Sequence, residues 1–146
     1  MTTVTTLGFP RIGAKRELKA ALESYWRGDT TADDLQATAR DLRHRHWQLQ
    51  RDAGADVVPC NDFALYDHVL DTAFLFDAIP EAYRTLADSD PLAGYFALAR
   101  GVQRDGTDLR ALEMTKWFDT NYHYLVPELH AGQDFRLRGD KPVAEF

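Results

Sequence analysis

The sequence predicts an α/β fold in which short parallel strands alternate with amphipathic helices. Four segments repeat apolar residues at the spacing of one helix face, and three short runs between them have the character of strands. Strands separated by helices in this order indicate β/α units. Hydrophobic residues make up 45% of the 146 residues and charged residues 27%, which is ordinary for a globular chain with its own core.

The first strand and the first helix are predicted near the start of the chain. Val4–Phe9 predicts a short strand, closed by Pro10 and a turn at Gly13. Gly28 and Asp29 end the helix that follows. The apolar side chains of this helix share one face and are Leu18, Leu22, Tyr25 and Trp26.

A second helix begins at a capping signal. Thr31 and Asp34 resemble a capping box in which Asp takes the place of the usual Glu or Gln. Gly54 lies just beyond the end of the helix, and Ala55–Pro59 predicts a short buried strand. The apolar stripe of the helix is predicted to consist of Leu35, Thr38, Leu42 and Leu49.

The second half of the chain predicts two more helices and one more strand. Asn61 or Asp62 is expected to cap a helix over residues 64–77, and Asp90 with Pro91 to begin another. The remaining predictions are a polar loop at Arg104–Leu109, a third strand at Met114–Phe118 and a further element that begins at Asp134–Leu137.

Three or four strands are too few for a closed parallel barrel. An eight-stranded TIM barrel typically needs about 250 residues. The tail Gly139–Phe146 supplies no closing element. We therefore expect the first β/α units of an incomplete (β/α)8 TIM barrel, cut in mid-fold.

Charge and cysteine usage exclude several classes of protein. The net charge is -6, so the chain has no global basic field to recruit nucleic acid or an anionic membrane. Cys60 is the only cysteine, which rules out an internal disulfide. No segment approaches the length of a membrane span, and the N-terminus lacks the pattern of a signal peptide. We expect a cytoplasmic protein.

A cluster of cations lies at the start of the first helix. Arg11, Lys15, Arg16 and Lys19 accompany the single anion Glu17 within a short stretch. Cations at a helix N-terminus are locally unfavourable, whereas a polyanion bound there would make them favourable. The pattern alone leaves two interpretations open, a polyanion site and a solvated face whose charge Glu17 partly offsets.

The segment Glu113–Tyr124 is too polar for a core strand and too aromatic for an ordinary loop. Its single cation is Lys116, and its four aromatic residues are Trp117, Phe118, Tyr122 and Tyr124. This mixture is typical of a wall that binds a flat or anionic ligand, although a half-buried strand fits it as well.

The histidines and the cysteine predict no metal site and no catalytic residue. His44 and His46 are two residues apart on a helix, so they point in different directions and do not chelate one ion. His68 and His123 are expected to be packed and hydrogen-bonded, although either has the chemistry of an acid or a base. Cys60 is expected to be a small buried hydrophobe.

Two blocks of the sequence resemble one enzyme family. Glu113–Tyr124, followed by Leu125–Glu128, is similar to the signature of cobalamin-independent methionine synthase. Leu7–Gly13 and then Arg16–Lys19 resemble the start of the same enzyme. The resemblance runs from Leu7 to Phe135.

The resemblance implies a fold, a reaction and a set of binding residues. Residues 1–146 would form part of the N-terminal barrel of a two-barrel enzyme. This enzyme moves a methyl group from 5-methyltetrahydropteroyltri-L-glutamate to L-homocysteine to form L-methionine. Its zinc ion, zinc ligands, homocysteine pocket and acid histidine would belong to the C-terminal barrel, which this chain lacks. Arg16, Glu17, Leu18, Lys19 and Lys116 would contact the glutamate tail of the folate.

Two other classes of function remain open at this stage. The chain ends before any catalytic machinery, which fits a stand-alone module that binds folate or another anion without catalysis. An inert structural fragment would show no saturable binding at all. In each case the isolated chain is expected not to catalyse methyl transfer.

Overall fold

A computed structural model describes residues 2–104, 106–139 and 141–145. They form two compact units, Met1–Leu65 with Lys141–Phe146, and Tyr66–Asp140. The helices are α1 (Glu17–Arg27), α2 (Ala32–Asp52), α3 (His68–Leu75), α4 (Glu81–Ser89), α5 (Pro91–Arg100) and α6 (Lys141–Ala144). The strands are β1 (Val102–Arg104), β2 (Thr107–Leu109), β3 (Met114–Lys116) and β4 (His123–Leu125).

Helices α1 and α2 confirm the predictions made from local signals. Gly28 ends α1 in the left-handed conformation, and its N–H donates to the last carbonyls of the helix. At the start of α2 the Thr31 side chain accepts from the backbone N–H of Asp34, and the Asp34 carboxylate accepts from that of Thr31. Asp therefore completes a capping box in the place of Glu.

The buried face of α2 differs from the predicted stripe. Leu49 was expected on it, but 52% of Leu49 is exposed. The buried residues recur at steps of three or four and are Leu35, Ala39, Leu42, His46 and Gln50. The helix thus buries two polar side chains at positions that an apolar pattern does not single out.

The two segments predicted as strands in the first unit share only one β-bridge among the described residues. A single parallel bridge joins Thr5 and Val57, and the other residues of both segments form no strand. Side chains take over part of the pairing that a strand ladder would provide. The Val4 N–H donates to the Asp56 carboxylate at 2.8 Å, and the Phe9 N–H donates to the Asp62 carboxylate at 2.8 Å. Val57 is 53% exposed, so the buried strand predicted here is wrong.

Helix α3 begins later than predicted. Its cap is Asp67, whose carboxylate accepts the Leu70 N–H at 2.9 Å. The expected caps are engaged elsewhere or shaped differently, because Asp62 binds the N-terminal segment and Asn61 has a left-handed backbone with φ 61°. The helix predicted from residue 64 is therefore four residues too long at its start.

Helices α4 and α5 pack closely in the second unit. Helix α4 was not predicted, whereas α5 begins at Asp90 and Pro91 as expected, with the Asp90 carboxylate accepting the Ala93 N–H at 3.0 Å. Gly94 of α5 faces Ala87 of α4 so closely that a Cβ at Gly94 would lie 2.4 Å from the Ala87 Cα. The absence of a side chain at Gly94 therefore sets the separation of the two helices.

Both sheets are antiparallel hairpins rather than the parallel units predicted. Strand β1 pairs with β2 in the register Val102 to Leu109, so the loop predicted there is wrong. Strand β3 pairs with β4 in the register Met114 to Leu125 and Lys116 to His123. The fold of the described residues is mixed α/β with small antiparallel sheets.

The segment that follows β4 is irregular over the described residues 126–139, so no element begins at Asp134–Leu137. Arg138 holds the end of this segment, because its guanidinium contacts Asp88 at 2.7 Å and the buried Asp77 at 3.3 Å. Among the described residues, no helix is both long and apolar enough to cross a membrane.

Candidate functional site

The residues predicted to bind a ligand lie in both units. Arg16, Glu17, Leu18 and Lys19 stand at the start of α1 in the first unit, and Lys116 ends β3 in the second. Each group has its own geometry within its unit.

The turn before α1 is a tight loop that ends on a strained arginine. Arg16 is the N-cap of α1 and has a left-handed backbone, with φ 61° and ψ 33°. Its N–H donates to the Gly13 carbonyl at 3.0 Å, and the Leu18 N–H donates to the Ile12 carbonyl at 3.2 Å. These bonds hold a conformation that a non-glycine residue adopts only at a cost.

Glu17 organises this loop from within. Its Oε2 accepts the Lys15 N–H at 2.8 Å, and its Oε1 accepts from the Arg45 guanidinium at 2.8 Å. Hydrogen bonds from backbone N–H groups, its own and that of Lys15, lower the pKa of Glu17, and Arg45 lowers it further. Leu18 is fully buried beneath the loop. The side chains of Glu17 and Leu18 therefore serve the fold of the loop.

Three of the cations in this loop are exposed. Lys15 and Arg16 have no ion-pair partner among residues 2–104, 106–139 and 141–145. Lys19 is half-exposed and lies 3.5 Å from Glu23, a surface pair of small energetic value. Arg11 differs from them, because its guanidinium donates to the Leu65 carbonyl at 3.2 Å. The loop thus presents positive charge that a negatively charged ligand can reach.

The β3–β4 hairpin carries Lys116 at the end of β3. Its turn is closed by the Trp117 N–H, which donates to the Tyr122 carbonyl at 2.8 Å. The Thr120 hydroxyl donates to the Trp117 carbonyl at 2.6 Å, and Phe118 takes a left-handed backbone with φ 51°. The Lys116 side chain is exposed and pairs with no other described residue.

Large aromatic side chains follow Lys116 along this turn. Trp117 is 46% exposed and Phe118 is 80% exposed, and their rings meet edge to face with centroids 5.3 Å apart. The Trp117 ring also meets that of Tyr124 at 5.5 Å. Residues 114–116 form a strand in which Thr115 is partly buried, and the exposed aromatic surface belongs to the turn that follows, so each interpretation describes part of this segment.

Comparison with known proteins identifies the family. The family model described as "Cobalamin-independent synthase, N-terminal domain" matches residues 3–146. The chain belongs to this family. The resemblance found in the sequence is thereby confirmed.

Relatives across several bacteria share one name, 5-methyltetrahydropteroyltriglutamate--homocysteine methyltransferase. The protein of Xylella fastidiosa (strain 9a5c) is 77% identical over 146 residues, which are 100% of this chain. That of Bifidobacterium animalis subsp. lactis is 54% identical over 147 residues, and that of Caulobacter vibrioides is 57% identical over 159. These alignments cover 100% and 99% of this chain. The chain spans 19% to 20% of the length of these curated relatives.

The remaining histidines and the cysteine of this cobalamin-independent synthase domain are dispersed. Cys60 is exposed, so the prediction that it is buried is wrong. His68 and His123 are also exposed, and the His123 Nδ1 lies 3.1 Å from the Asn121 carbonyl. His46 is buried against the Phe9 ring with centroids 4.6 Å apart, and burial lowers its pKa. In the described part of the chain, no three His, Cys, Asp or Glu side chains gather where they could hold a metal ion.

Sequence reasoning missed a buried carboxylate that contacts the β3–β4 hairpin of this domain. Asp67 is 2% exposed, and it accepts from the Tyr122 hydroxyl and from the Leu125 N–H. The sequence does contain a local signal for the capping role of Asp67, because an Asp at the start of an apolar helical run is a good helix cap. The contact with Tyr122 spans 55 residues, and no local pattern indicates it.

Proposed function

We propose that the native polypeptide that carries this sequence transfers a methyl group from 5-methyltetrahydropteroyltri-L-glutamate to L-homocysteine, and that these residues contribute binding of the glutamate tail. The observation that carries the proposal is 77% identity over 146 residues to a relative named for this reaction. We also propose that the chain is part of an N-terminal TIM barrel and that the enzyme acts in the cytoplasm.

The zinc ion is proposed to bind outside the residues of this chain. The described residues do not fit a zinc site, since they bring together no set of three ligating side chains. We therefore assign no step of the reaction to a metal held here. The zinc ligands, the homocysteine pocket and the catalytic residues are proposed to lie in a C-terminal barrel, and the isolated chain is proposed to be inactive.

The chemistry of the tail matches the cations of the two segments. A triglutamate tail is a string of carboxylates, which Lys and Arg pair with and which a helix N-terminus also attracts. Arg16, Lys19 and Lys116 are proposed to contact the tail directly. Glu17 and Leu18 lie within the same segment, but the carboxylate of Glu17 repels an anion, so their contribution is to the shape of the loop.

The test compares folates with long and short tails on the native polypeptide. Isothermal titration measures the Kd of 5-methyltetrahydropteroyltriglutamate and of the monoglutamate for the wild type, Arg16→Ala and Lys116→Ala. Each substitution is expected to weaken triglutamate binding by about two- to fivefold, the range of an exposed charge pair, and to leave the monoglutamate unchanged. Arg40→Ala serves as the control, because Arg40 is an exposed cation of α2 outside both segments.

Two results would contradict the proposal. Equal affinity of the wild type for the two folates would show that the chain has no site for the glutamate tail. An unchanged triglutamate Kd in Lys116→Ala would show that Lys116 does not contact the tail. A native product that binds folate but has no methyl transfer activity would favour the non-catalytic binding module, and a lack of any saturable binding would favour the inert fragment.

A further inference from the structure

A buried carboxylate joins the start of α3 to the hairpin that carries Lys116. We propose that Asp67 is a positioning residue, which holds this hairpin through the Tyr122 hydroxyl and thereby fixes the direction in which Lys116 is presented to the glutamate tail. This inference rests on the proposed function, because it assigns a role within the same binding site.

Four donors converge on the Asp67 side chain and on its partner hydroxyl. One carboxylate oxygen of Asp67 accepts from the Tyr122 hydroxyl. The other accepts the Leu70 N–H at 2.9 Å and the Leu125 N–H at 3.2 Å. The Tyr122 oxygen in turn accepts the His68 N–H at 3.3 Å. The first turn of α3 and both ends of the β4 segment are thus tied to one buried group.

This arrangement exceeds what a helix cap requires. A cap needs one oxygen to accept one backbone N–H, and a small hydroxyl side chain also provides it. Among the described residues, the second oxygen of Asp67 accepts from the Tyr122 hydroxyl alone, and Asp67 is 2% exposed. Loss of the hydroxyl would leave a buried charged oxygen without its donor, which is costly because water does not replace it. The hairpin is therefore held in one place relative to α3.

The anchor lies close to Lys116 along the hairpin. Lys116 pairs with His123, the residue next to Tyr122, and the Tyr122 carbonyl accepts the Trp117 N–H. Tyr122 therefore fixes the turn from both its side chain and its backbone. A movement of the Tyr122 ring would carry the end of β3, and with it the backbone from which Lys116 extends.

Positioning of this kind changes affinity by changing the fraction of molecules in which the hairpin has the conformation that binds the tail. A ligand binds with an apparent affinity reduced by the fraction of molecules in the competent state. An anchored hairpin keeps that fraction high, whereas a free one also samples other directions. Only a ligand long enough to contact Lys116 depends on this conformation. We therefore expect the affinity for the triglutamate folate to change and the affinity for the monoglutamate folate to stay the same.

The test uses Tyr122→Phe in the native polypeptide, since it keeps the ring and removes the hydroxyl. The triglutamate Kd is expected to rise by at most about two- to fivefold, the effect expected for Lys116→Ala, because the hydroxyl acts only through Lys116, while the monoglutamate Kd stays unchanged. Tyr83→Phe is the matched control. It also removes a hydroxyl that is hydrogen-bonded in the same unit, to the Arg110 carbonyl, but lies outside the hairpin.

Amide hydrogen exchange provides a readout that does not depend on folate. Peptides that cover residues 116–125 are expected to exchange about tenfold faster in Tyr122→Phe than in the wild type or Tyr83→Phe, because the hairpin opens more readily without its anchor. Asp67→Ser keeps a hydroxyl oxygen for the α3 cap but has no second oxygen for the Tyr122 hydroxyl, so it should reproduce the Kd effect. The double variant should be no weaker than either single variant, since both break the same contact.

The outcomes separate this inference from the proposed function. If Lys116→Ala weakens triglutamate binding but Tyr122→Phe does not, the positioning role is overturned and the tail site stands. If Tyr83→Phe matches Tyr122→Phe in both Kd and exchange, the effect is one of general stability and the inference also fails. If the wild type does not distinguish the two folates, the proposed function and this inference fail together.

Discussion

Gly13 sets the shape of the cationic loop, and alanine at this position is expected to disturb it from two directions. The backbone at Gly13 has φ 85°, which an L side chain adopts at a cost. A Cβ there would lie 2.3 Å from Oε2 of Glu17 and 2.9 Å from Cδ2 of Leu42. Both distances are well inside ordinary contact, so Gly13→Ala must displace the side chain that organises the loop.

The size of the effect follows from these contacts. The left-handed backbone costs a non-glycine residue about 1–2 kcal/mol. Overpacking against Leu42, which is 1% exposed and unable to retreat, adds about 1–3 kcal/mol. The reduced freedom of the unfolded chain offsets about 0.4–1 kcal/mol. We expect a net loss of about 2–3 kcal/mol for Gly13→Ala.

Gly28→Ala is the matched control for this prediction. Gly28 has φ 80°, close to that of Gly13, but nothing lies within 4 Å of the position that its Cβ would take. It therefore incurs the backbone cost without the overpacking, and we expect a loss of about 0.5–1 kcal/mol. The difference between the two variants isolates the contact with Glu17 and Leu42.

Amide exchange in the first turns of α1 measures this difference locally. Each 1.4 kcal/mol corresponds to a tenfold change, so Gly13→Ala should accelerate exchange of peptides from residues 17–22 by about 30- to 100-fold. Gly28→Ala should accelerate it by about two- to fivefold. Equal acceleration in the two variants would show that the backbone conformation alone matters, and the reasoning from the close contacts would be refuted.

Two further predictions concern a close helix contact in the second unit and a buried histidine in the first. Gly94→Ala should destabilise α4 and α5 by about 1–3 kcal/mol, because its Cβ would lie 2.4 Å from the Cα of Ala87. Gly132→Ala is the control, since the position has open space around it and stability should change by less than about 0.5 kcal/mol; amide exchange rates measure both variants. Burial lowers the pKa of His46, so below about pH 6.5 the unfolded state binds a proton more readily than the folded state. Stability of the first unit should therefore fall as the pH falls from 7 to 5 in thermal unfolding, and a His46→Gln variant that shows the same slope would disprove the assignment.

The elements that sequence reasoning placed well are those whose signals are local. The Thr31 and Asp34 capping box, the break at Gly28 and the start of α5 at Asp90 each depend on neighbours within four residues. These bonds depend little on the rest of the chain, so the local residue types are enough to predict where these helices begin or end.

The elements that were misplaced depend on partners far along the chain. Asp62 and Asp67 are both acidic residues that precede apolar runs, and the sequence predicts Asn61 or Asp62 as the cap of α3. The structure uses Asp67, because Asp62 accepts the Phe9 N–H from 53 residues away. In the segment predicted as the first strand, the N–H groups of Val4 and Phe9 likewise donate to the carboxylates of Asp56 and Asp62, which are 52 and 53 residues away.

The candidate site shows the same division. Arg16 and Lys116 were found through motifs, and their exposure and lack of described partners are facts that only the fold provides. The role of Glu17 within its own loop was hidden, because the Arg45 contact crosses 28 residues. A motif thus locates a candidate segment, whereas packing decides which of its side chains are exposed.

Non-glycine residues with left-handed backbones occur both inside and outside the two segments that carry exposed cations. Arg16 and Phe118 lie in those segments, whereas Asn61 and Asp77 lie elsewhere. Glycine would adopt this conformation without the cost of about 1–2 kcal/mol that other residues incur. The Arg16 guanidinium pairs with none of the described residues. We propose that a carboxylate-rich ligand is its partner, because such a ligand has the complementary charge and would offset the backbone cost at position 16.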